Sequence, residues 1–87
     1  MKTKKINVDY KTKMSNLKIG NKAEIIGVFC KNLMVKKRLF EMGVVVGTKV
    51  QVKKIAPLGD PVVIGLRDYE LCLRKNELKN IDVRVLK

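Results

Sequence analysis

The sequence contains no histidine and no tryptophan, and its 87 residues include only two tyrosines and two phenylalanines. Without histidine, the chain lacks the side chain that most often serves as acid, base or metal ligand near neutral pH. The scarcity of aromatic rings disfavours both a groove for proline-rich peptides and the stacking of single-stranded nucleic acid. These absences exclude histidine-dependent catalysis and favour a function based on binding.

Cysteine is also scarce, since Cys30 and Cys72 are the only two and lie far apart in the sequence. They form no CxxC pair, so the spacing typical of a zinc site or a redox dithiol is missing. We interpret both thiols as free and structural, in a reducing cytoplasmic environment. Two further features are missing from the sequence: an apolar run long enough to cross a membrane, and a secretory signal peptide.

Positive charge is what the chain has in excess, with 20 lysines and arginines against 8 acidic residues and a net charge of +12. The hydrophobic fraction of 46% is ordinary for a folded protein, so the charge does not indicate disorder. Residues 1–15 are rich in lysine and poor in apolar residues, which predicts a flexible basic arm. Residues 16–87 are then expected to form one folded domain.

The first part of that domain shows two different periods. Alternation of inward and outward residues predicts a strand over Lys22–Phe29. The spacing of Val35, Leu39 and Met42 then predicts one stripe of a helix over Leu33–Met42. Asn32 is suited to cap the start of this helix, and Gly43 to end it.

The remainder of the chain favours β structure. Alternation predicts a strand after Gly47 that is interrupted at Lys54–Ile55, then strands over 62–66, 70–73 and 81–85, with a single helical turn before the last. The order β-α-β-β-β-β predicts a mainly β fold, namely a small SH3-like antiparallel barrel of about five strands with one short helix after the first.

Several spaced segments of the chain carry a family likeness, namely Lys37–Gly43, Gly47-Thr48, Ala56–Pro61, Leu71–Leu78 and Ile81–Val83. Together they resemble the FeoA family, the small cytoplasmic partners of the bacterial ferrous iron transporter FeoB. It implies an SH3-like domain and a non-enzymatic accessory role in ferrous iron uptake. The implied partner is the cytoplasmic GTPase (G) domain of FeoB, with indirect association with the membrane.

The chain departs from the family pattern at two positions. Val46 stands where the family commonly has proline before the second glycine of the turn after the helix, which makes this turn less stiff. Leu78 stands where alanine is usual, so the neighbouring core must accept a larger side chain.

Two segments are candidate contact regions, because both combine apolar groups with flanking charge. The helix residues are Leu33, Met34, Lys37 and Phe40, and the turn residues are Pro57, Leu58, Gly59, Asp60 and Pro61. The structural alternatives are that the barrel covers the helix on two sides, and that the turn is a rigid connection whose aspartate caps its own backbone.

The helix carries lysines and Arg38, and the following strand carries Lys49, Lys53 and Lys54. These side chains could form one basic patch or a simple solvated face. Such a patch leaves nucleic acid binding, disfavoured by the few aromatic rings, as an alternative function. Another alternative to the accessory role is that the chain is a domain related to the C-terminal domains of iron-dependent repressors. We expect no resident cofactor and no metal site, since two isolated thiols make a poor site even for transient association of ferrous iron.

Overall fold

The computed structural model describes residues 10–86, which fold into one six-stranded antiparallel sheet in the order β1-β6-β2-β3-β4-β5. The strands are β1 (Tyr10–Lys13), β2 (Lys22–Val28), β3 (Lys49–Ile55), β4 (Val62–Leu66), β5 (Tyr69–Leu73) and β6 (Ile81–Leu86). A 3₁₀ turn spans Met14–Asn16, and the helices are α1 (Leu33–Glu41) and α2 (Lys75–Leu78).

The core forms on one face of this sheet because apolar residues alternate with polar ones along its strands. Ile25, Ile64, Leu73 and Val83 are among the fully buried side chains. Leu39 of α1 and Leu78 of α2 complete the core, and neither leaves more than 1% of its surface exposed. The larger side chain at position 78 is therefore accommodated within the core.

The predicted helix and strands are confirmed, with ends that differ by at most one residue. Asn32 caps α1 by accepting hydrogen bonds from the backbone N–H groups of Met34 (3.0 Å) and Val35 (3.3 Å). The interruption predicted near Lys54 is a shift in the pairing of β3 with β4 between Val52 and Lys54.

The domain boundary predicted between residues 15 and 16 is wrong. Tyr10–Lys13 forms strand β1, which pairs with β6 in the register Tyr10 opposite Val85, and Met14 is 1% exposed in the core. The physical reason is that β1 is held by backbone hydrogen bonds at the sheet edge and needs no apolar face of its own. The rest of the predicted arm, residues 1–9, lies outside the described residues.

Within residues 10–86, no helix is both long enough and apolar enough to span a bilayer. The longer of the two helices, α1, has nine residues.

Candidate functional site

An apolar groove of about 580 Å³ lies between the end of β2, helix α1 and the turn that follows α1. We call it the apolar groove and define it by Ile26, Phe29, Phe40 and Val46, with Lys36 at its border. The side chains of Phe29, Phe40 and Val46 are 65%, 66% and 67% exposed. Three large apolar groups thus face solvent around one concave surface, which is typical of an interaction site.

The wall on the β2 side depends on an irregular strand end. The pairing of β2 with β6 shifts between Ile25 and Gly27, which is the signature of a bulge at Ile26. A Cβ atom at Gly27 would lie 2.4 Å from Cε2 of Phe29, so the Phe29 ring rests directly against the Gly27 backbone. Glycine at this position therefore lets the ring pack against the strand backbone.

The wall on the α1 side follows from helical spacing. Phe40 and Lys36 lie four residues apart and share one side of the helix, while Leu39 is turned into the core with no exposed surface. After α1, Gly43 and Gly47 have φ values of +95° and +96°, a region that favours glycine. Between them Val44 is buried, so the turn is anchored while Val46 points outward.

The four predicted helix residues are all exposed, which contradicts the alternative that the barrel covers α1 on two sides. Of the four, Phe40 lines the groove. Leu33 and Lys37 follow at helical spacing on the adjoining outer stripe. Met34 lies on the opposite flank with Arg38, which forms an ion pair with Glu77 of α2.

The predicted turn is also exposed at its tip, where Leu58 is 96% exposed between Pro57 and Gly59. The structural alternative had Asp60 capping its own turn, but its Oδ1 instead accepts a hydrogen bond of 2.8 Å from the backbone N–H of Lys75. This bond joins the turn to the start of α2, and the Asp60–Pro61 peptide bond is cis. None of the turn residues lines the apolar groove.

Sequence reasoning missed three members of the groove: Ile26, Phe29 and Val46. They lie on a strand end and in two connections, and only the tertiary fold brings them beside Phe40. The available signal was weak: Phe29 is the last residue of the predicted strand, and Phe40 lies outside the Val35, Leu39 and Met42 stripe of the predicted helix.

The lysines that were candidates for one basic patch are divided between two places. Lys36 borders the apolar groove, whereas Lys49 and Lys53 lie on the far end of the sheet. There they line a second concavity of about 370 Å³ together with Lys22 and Arg67. We call this second surface the basic cleft.

The two thiols are in different environments. The Cys30 thiol donates a hydrogen bond of 3.4 Å to the backbone oxygen of Asn32, while Cys72 is exposed on β5. Among residues 10–86, no three Cys, Asp or Glu side chains are grouped so that they could hold a metal ion.

Comparisons with known proteins agree with this fold. The family model described as FeoA domain matches residues 12–85. A Porphyromonas gingivalis protein, described as a fusion of Fe(2+) transport protein A with the Fe(2+) transporter FeoB, is 35% identical over 74 residues. That match covers 85% of this chain but only 9% of the fusion protein's length.

Two solved structures show the same likeness. A FeoA-like protein from Clostridium acetobutylicum is 36% identical, with 88% of each chain covered and a TM-score of 0.81. FeoA of Stenotrophomonas maltophilia, a zinc complex described as a prokaryotic SH3 domain protein, is 27% identical with a TM-score of 0.73. That match covers 83% of this chain and 88% of the other. The SH3-like fold is therefore confirmed, and since the family model spans most of its length, the chain belongs to the FeoA family.

Proposed function

We propose that this chain is a non-enzymatic accessory protein of bacterial ferrous iron uptake that docks on the transporter FeoB. Membership of the FeoA family links it to Fe(II) transport. In the Porphyromonas gingivalis relative, the two proteins are parts of a single chain, which supports association of a FeoA domain with FeoB. The proposed contact is the cytoplasmic G domain, so that the chain acts at the inner face of the membrane without spanning it.

The observation that carries the docking proposal is the apolar groove. Its three exposed apolar side chains, Phe29, Phe40 and Val46, surround one concavity instead of being scattered over the surface. Large aromatic side chains that become desolvated at the centre of an interface are typical binding hot spots. Phe40 is therefore the residue whose truncation is expected to weaken docking most.

The border of the groove indicates the chemistry of the partner surface. Lys36 lines it, and Lys37 is the next residue on the exposed side of α1. A complementary surface presents an apolar side chain to the groove and carboxylates to these two ammonium groups. Leu33 lies on the same outer stripe and extends the contact along the helix.

Met34 and the Pro57–Pro61 turn form a second candidate contact on the α2 flank. Leu58 at the tip of this turn is the most exposed large apolar side chain in residues 10–86. The ion pair of Arg38 with Glu77 and the hydrogen bond of Asp60 to α2 hold both segments against that helix. A partner that contacts this flank reaches Met34 and Leu58 but not the groove.

Docking can regulate the transporter only if the chain prefers one of its states, because a ligand shifts an equilibrium by its differential affinity. For a G domain, the states that differ are nucleotide-free, GDP-bound and GTP-bound. We propose that the chain needs no resident metal or other cofactor for this role, and that ferrous iron is the cargo of the partner.

Nucleic acid binding is the other function that the charge of +12 allows. Both phenylalanines lie in the apolar groove, which leaves Tyr69 as the aromatic side chain that lines the basic cleft. A surface with one ring beside its cations offers little base stacking. The structure therefore favours docking on a protein over recognition of single-stranded nucleic acid.

Isothermal titration calorimetry against the cytoplasmic domain of FeoB from the same organism tests the proposal. The full chain is titrated into the domain without nucleotide, with GDP and with a non-hydrolysable GTP analogue. We expect binding in at least one state and an affinity reduced about 30-fold or more by Phe40→Ala, as for a central hot spot. The absence of binding in all three states would contradict the proposal.

Leu58→Ala provides the matched control, because it also removes an exposed apolar side chain but from the α2 flank. We expect this variant to change the affinity less than threefold, within the range of peripheral contacts. If Leu58→Ala weakens binding and Phe40→Ala does not, the contact lies on the turn and the groove assignment is wrong.

A further inference from the structure

The basic cleft is a second concave surface, and the docking proposal does not use it. It lies on the outward face of β2, β3 and β4, at the end of the sheet where β2 begins with Lys22. Its lining residues and those of the apolar groove do not overlap. A role for the cleft therefore has to be argued from its own side chains.

Strand pairing brings three lysines around one residue, Gln51 of β3. Lys22 is directly opposite Gln51 on β2, and Lys49 and Lys53 are two residues before and after it. Alternate residues of a strand share a face, and diagonal neighbours across strands are about 7–8 Å apart. The three ammonium groups are thus carried by neighbouring positions of the same face.

Gly65 of β4 completes this arrangement by leaving space. It pairs with Gln51, and a Cβ atom at this position would lie 2.6 Å from Cε of Lys53. The Lys53 side chain therefore lies across β4, where its Nζ donates a hydrogen bond of 3.2 Å to Oε1 of Gln51. Because glycine is present, the Lys53 ammonium is held inside the cleft beside Gln51.

These cations lack carboxylate partners. Among residues 10–86, neither the three lysines nor Arg67 forms an ion pair. On the same face, Glu24 of β2 forms an ion pair with Arg84 of β6 at 2.5 Å. Two acidic residues, Asp68 and Glu70, line the β5 side of the cleft, and Glu70 is opposite Gly65, across which the Lys53 side chain lies. On the β2–β3 side, Glu24 is opposite Lys49 but forms its ion pair with Arg84, so this side carries an excess of positive charge.

We propose that the basic cleft binds the phosphate headgroup of anionic phospholipids at the membrane surface. Lysines near an anionic membrane each contribute favourably to binding, and the net charge of +12 attracts the whole chain to such a surface. Leu86, opposite Lys22 on β6, places an apolar side chain at one side of the cleft.

Two features support a lipid headgroup over a free phosphate compound. The cleft is open, so a headgroup can enter it while the rest of the lipid stays in the bilayer, and apolar side chains border the cations. On the β5 side, Glu70 can accept hydrogen bonds from the hydroxyl groups of a glycerol headgroup.

Sedimentation with lipid vesicles tests this inference with the full chain alone. The vesicles consist of phosphatidylcholine with or without phosphatidylglycerol, at one fixed ionic strength. We expect binding only when phosphatidylglycerol is present. The triple variant Lys22→Gln/Lys49→Gln/Lys53→Gln is expected to bind roughly 100-fold more weakly, as the loss of three interfacial lysines implies.

The matched control, Lys31→Gln/Lys75→Gln/Lys79→Gln, changes the net charge by the same amount at exposed positions outside the cleft. We expect it to reduce vesicle binding less than tenfold, and circular dichroism verifies that both triple variants remain folded. An equal loss in the two variants would overturn the inference, because binding would then depend on net charge alone.

Two further arms distinguish other sources of phosphate. The chain is titrated with inorganic pyrophosphate, and separately with single-stranded RNA, while NMR shifts of the cleft residues are followed. Binding of either compound that is sensitive to the cleft variant, without binding to phosphatidylglycerol vesicles, would overturn the assignment to lipid. Vesicle binding that survives millimolar pyrophosphate supports it.

Discussion

The two ends of strand β2 present opposite chemistry to solvent. At its start, Lys22 contributes to the basic cleft, where four cations lack carboxylate partners among residues 10–86. At its end, Ile26 and the Phe29 ring contribute to the apolar groove, where large hydrophobic groups are uncovered. An excess of positive charge and an exposed apolar surface suit different partners. The start and the end of one short strand therefore belong to two surfaces of opposite chemistry.

Tyr69 is the physical connection between the two surfaces. Tyr69 is among the residues that line the basic cleft, while its side chain lies on the same face of the sheet as buried Leu66 and its hydroxyl donates a hydrogen bond of 2.6 Å to the backbone oxygen of Met42, just after α1. Since α1 carries one wall of the groove, a change at Met42 or Tyr69 reaches both regions. Variants in the groove, in the turn after α1 and on the α2 flank can show whether the two surfaces act separately and whether Tyr69 connects them.

The largest expected effect comes from removing both aromatic walls of the groove with Phe29→Ala/Phe40→Ala. Two hot-spot side chains are lost, so we expect affinity for the cytoplasmic domain of FeoB to fall at least about 100-fold, measured by calorimetry. Binding to phosphatidylglycerol vesicles should change less than twofold, because neither residue lines the cleft. Loss of both activities in a folded variant would show that the two surfaces are not independent.

The second prediction concerns the glycine after α1. Gly43 has φ +95°, and a Cβ atom there would lie 2.3 Å from Oη of Tyr69. Gly43→Ala is therefore expected to cost about 1–3 kcal/mol in the free energy of unfolding for the backbone conformation, with an added cost for displacing Tyr69. Chemical denaturation measures the difference.

Gly47→Ala is the matched control for this prediction. Gly47 has nearly the same φ, +96°, but no atom lies within 4 Å of the point that a Cβ atom would occupy. It should therefore show the conformational cost without the steric one. Equal destabilisation by the two variants would indicate that Tyr69 yields freely and does not connect the surfaces.

Much of the fold could be predicted from the sequence because its signals are local. The stripe of Val35, Leu39 and Met42 and the cap at Asn32 lie within a few residues, and they identified α1 to within one residue of its end. Strand β1 was missed because its residues, YKTK, show no apolar alternation. An edge strand that pairs through its backbone gives no such signal.

The surfaces were harder to predict because they are assembled from distant segments. Phe40 was identified from its place outside the core stripe of α1, but Phe29 and Val46 join it only through the tertiary fold. A single patch of helix and strand lysines, one of the two alternatives from the sequence, requires that the helix and the strand be adjacent. The pairing of β2 with β3 instead places Lys49 and Lys53 beside Lys22. This register is not visible in the sequence.

The third prediction uses salt to separate the two kinds of contact. The Debye length falls from about 10 Å at 0.1 M to about 3 Å at 1 M, which screens exposed charges strongly. Over this range we expect vesicle binding through the cleft to weaken about tenfold or more, while docking through the groove changes less than threefold. Parallel salt series of sedimentation and calorimetry measure both. Equal slopes would show that docking is also mainly electrostatic.

The smallest expected effect concerns the ion pair between Arg38 of α1 and Glu77 of α2, which holds the flank of α1 opposite the groove. The Arg38 side chain is 53% exposed, so its contribution is that of a surface pair, about 0.5 kcal/mol or less. Glu77 also accepts a hydrogen bond of 2.9 Å from the Arg74 backbone, so it caps α2 as well.

Two conservative variants, Arg38→Gln and Glu77→Gln, remove the charge pair and leave an acceptor for the cap. Each should lower the free energy of unfolding by about 0.5 kcal/mol or less, whereas Glu77→Ala also removes the cap and should cost about 1 kcal/mol more. Docking through the groove should be unchanged in both glutamine variants, since Leu39 holds α1 to the core. A loss of docking in Arg38→Gln alone would place the partner on the α2 flank, because only there is the Arg38 side chain within reach.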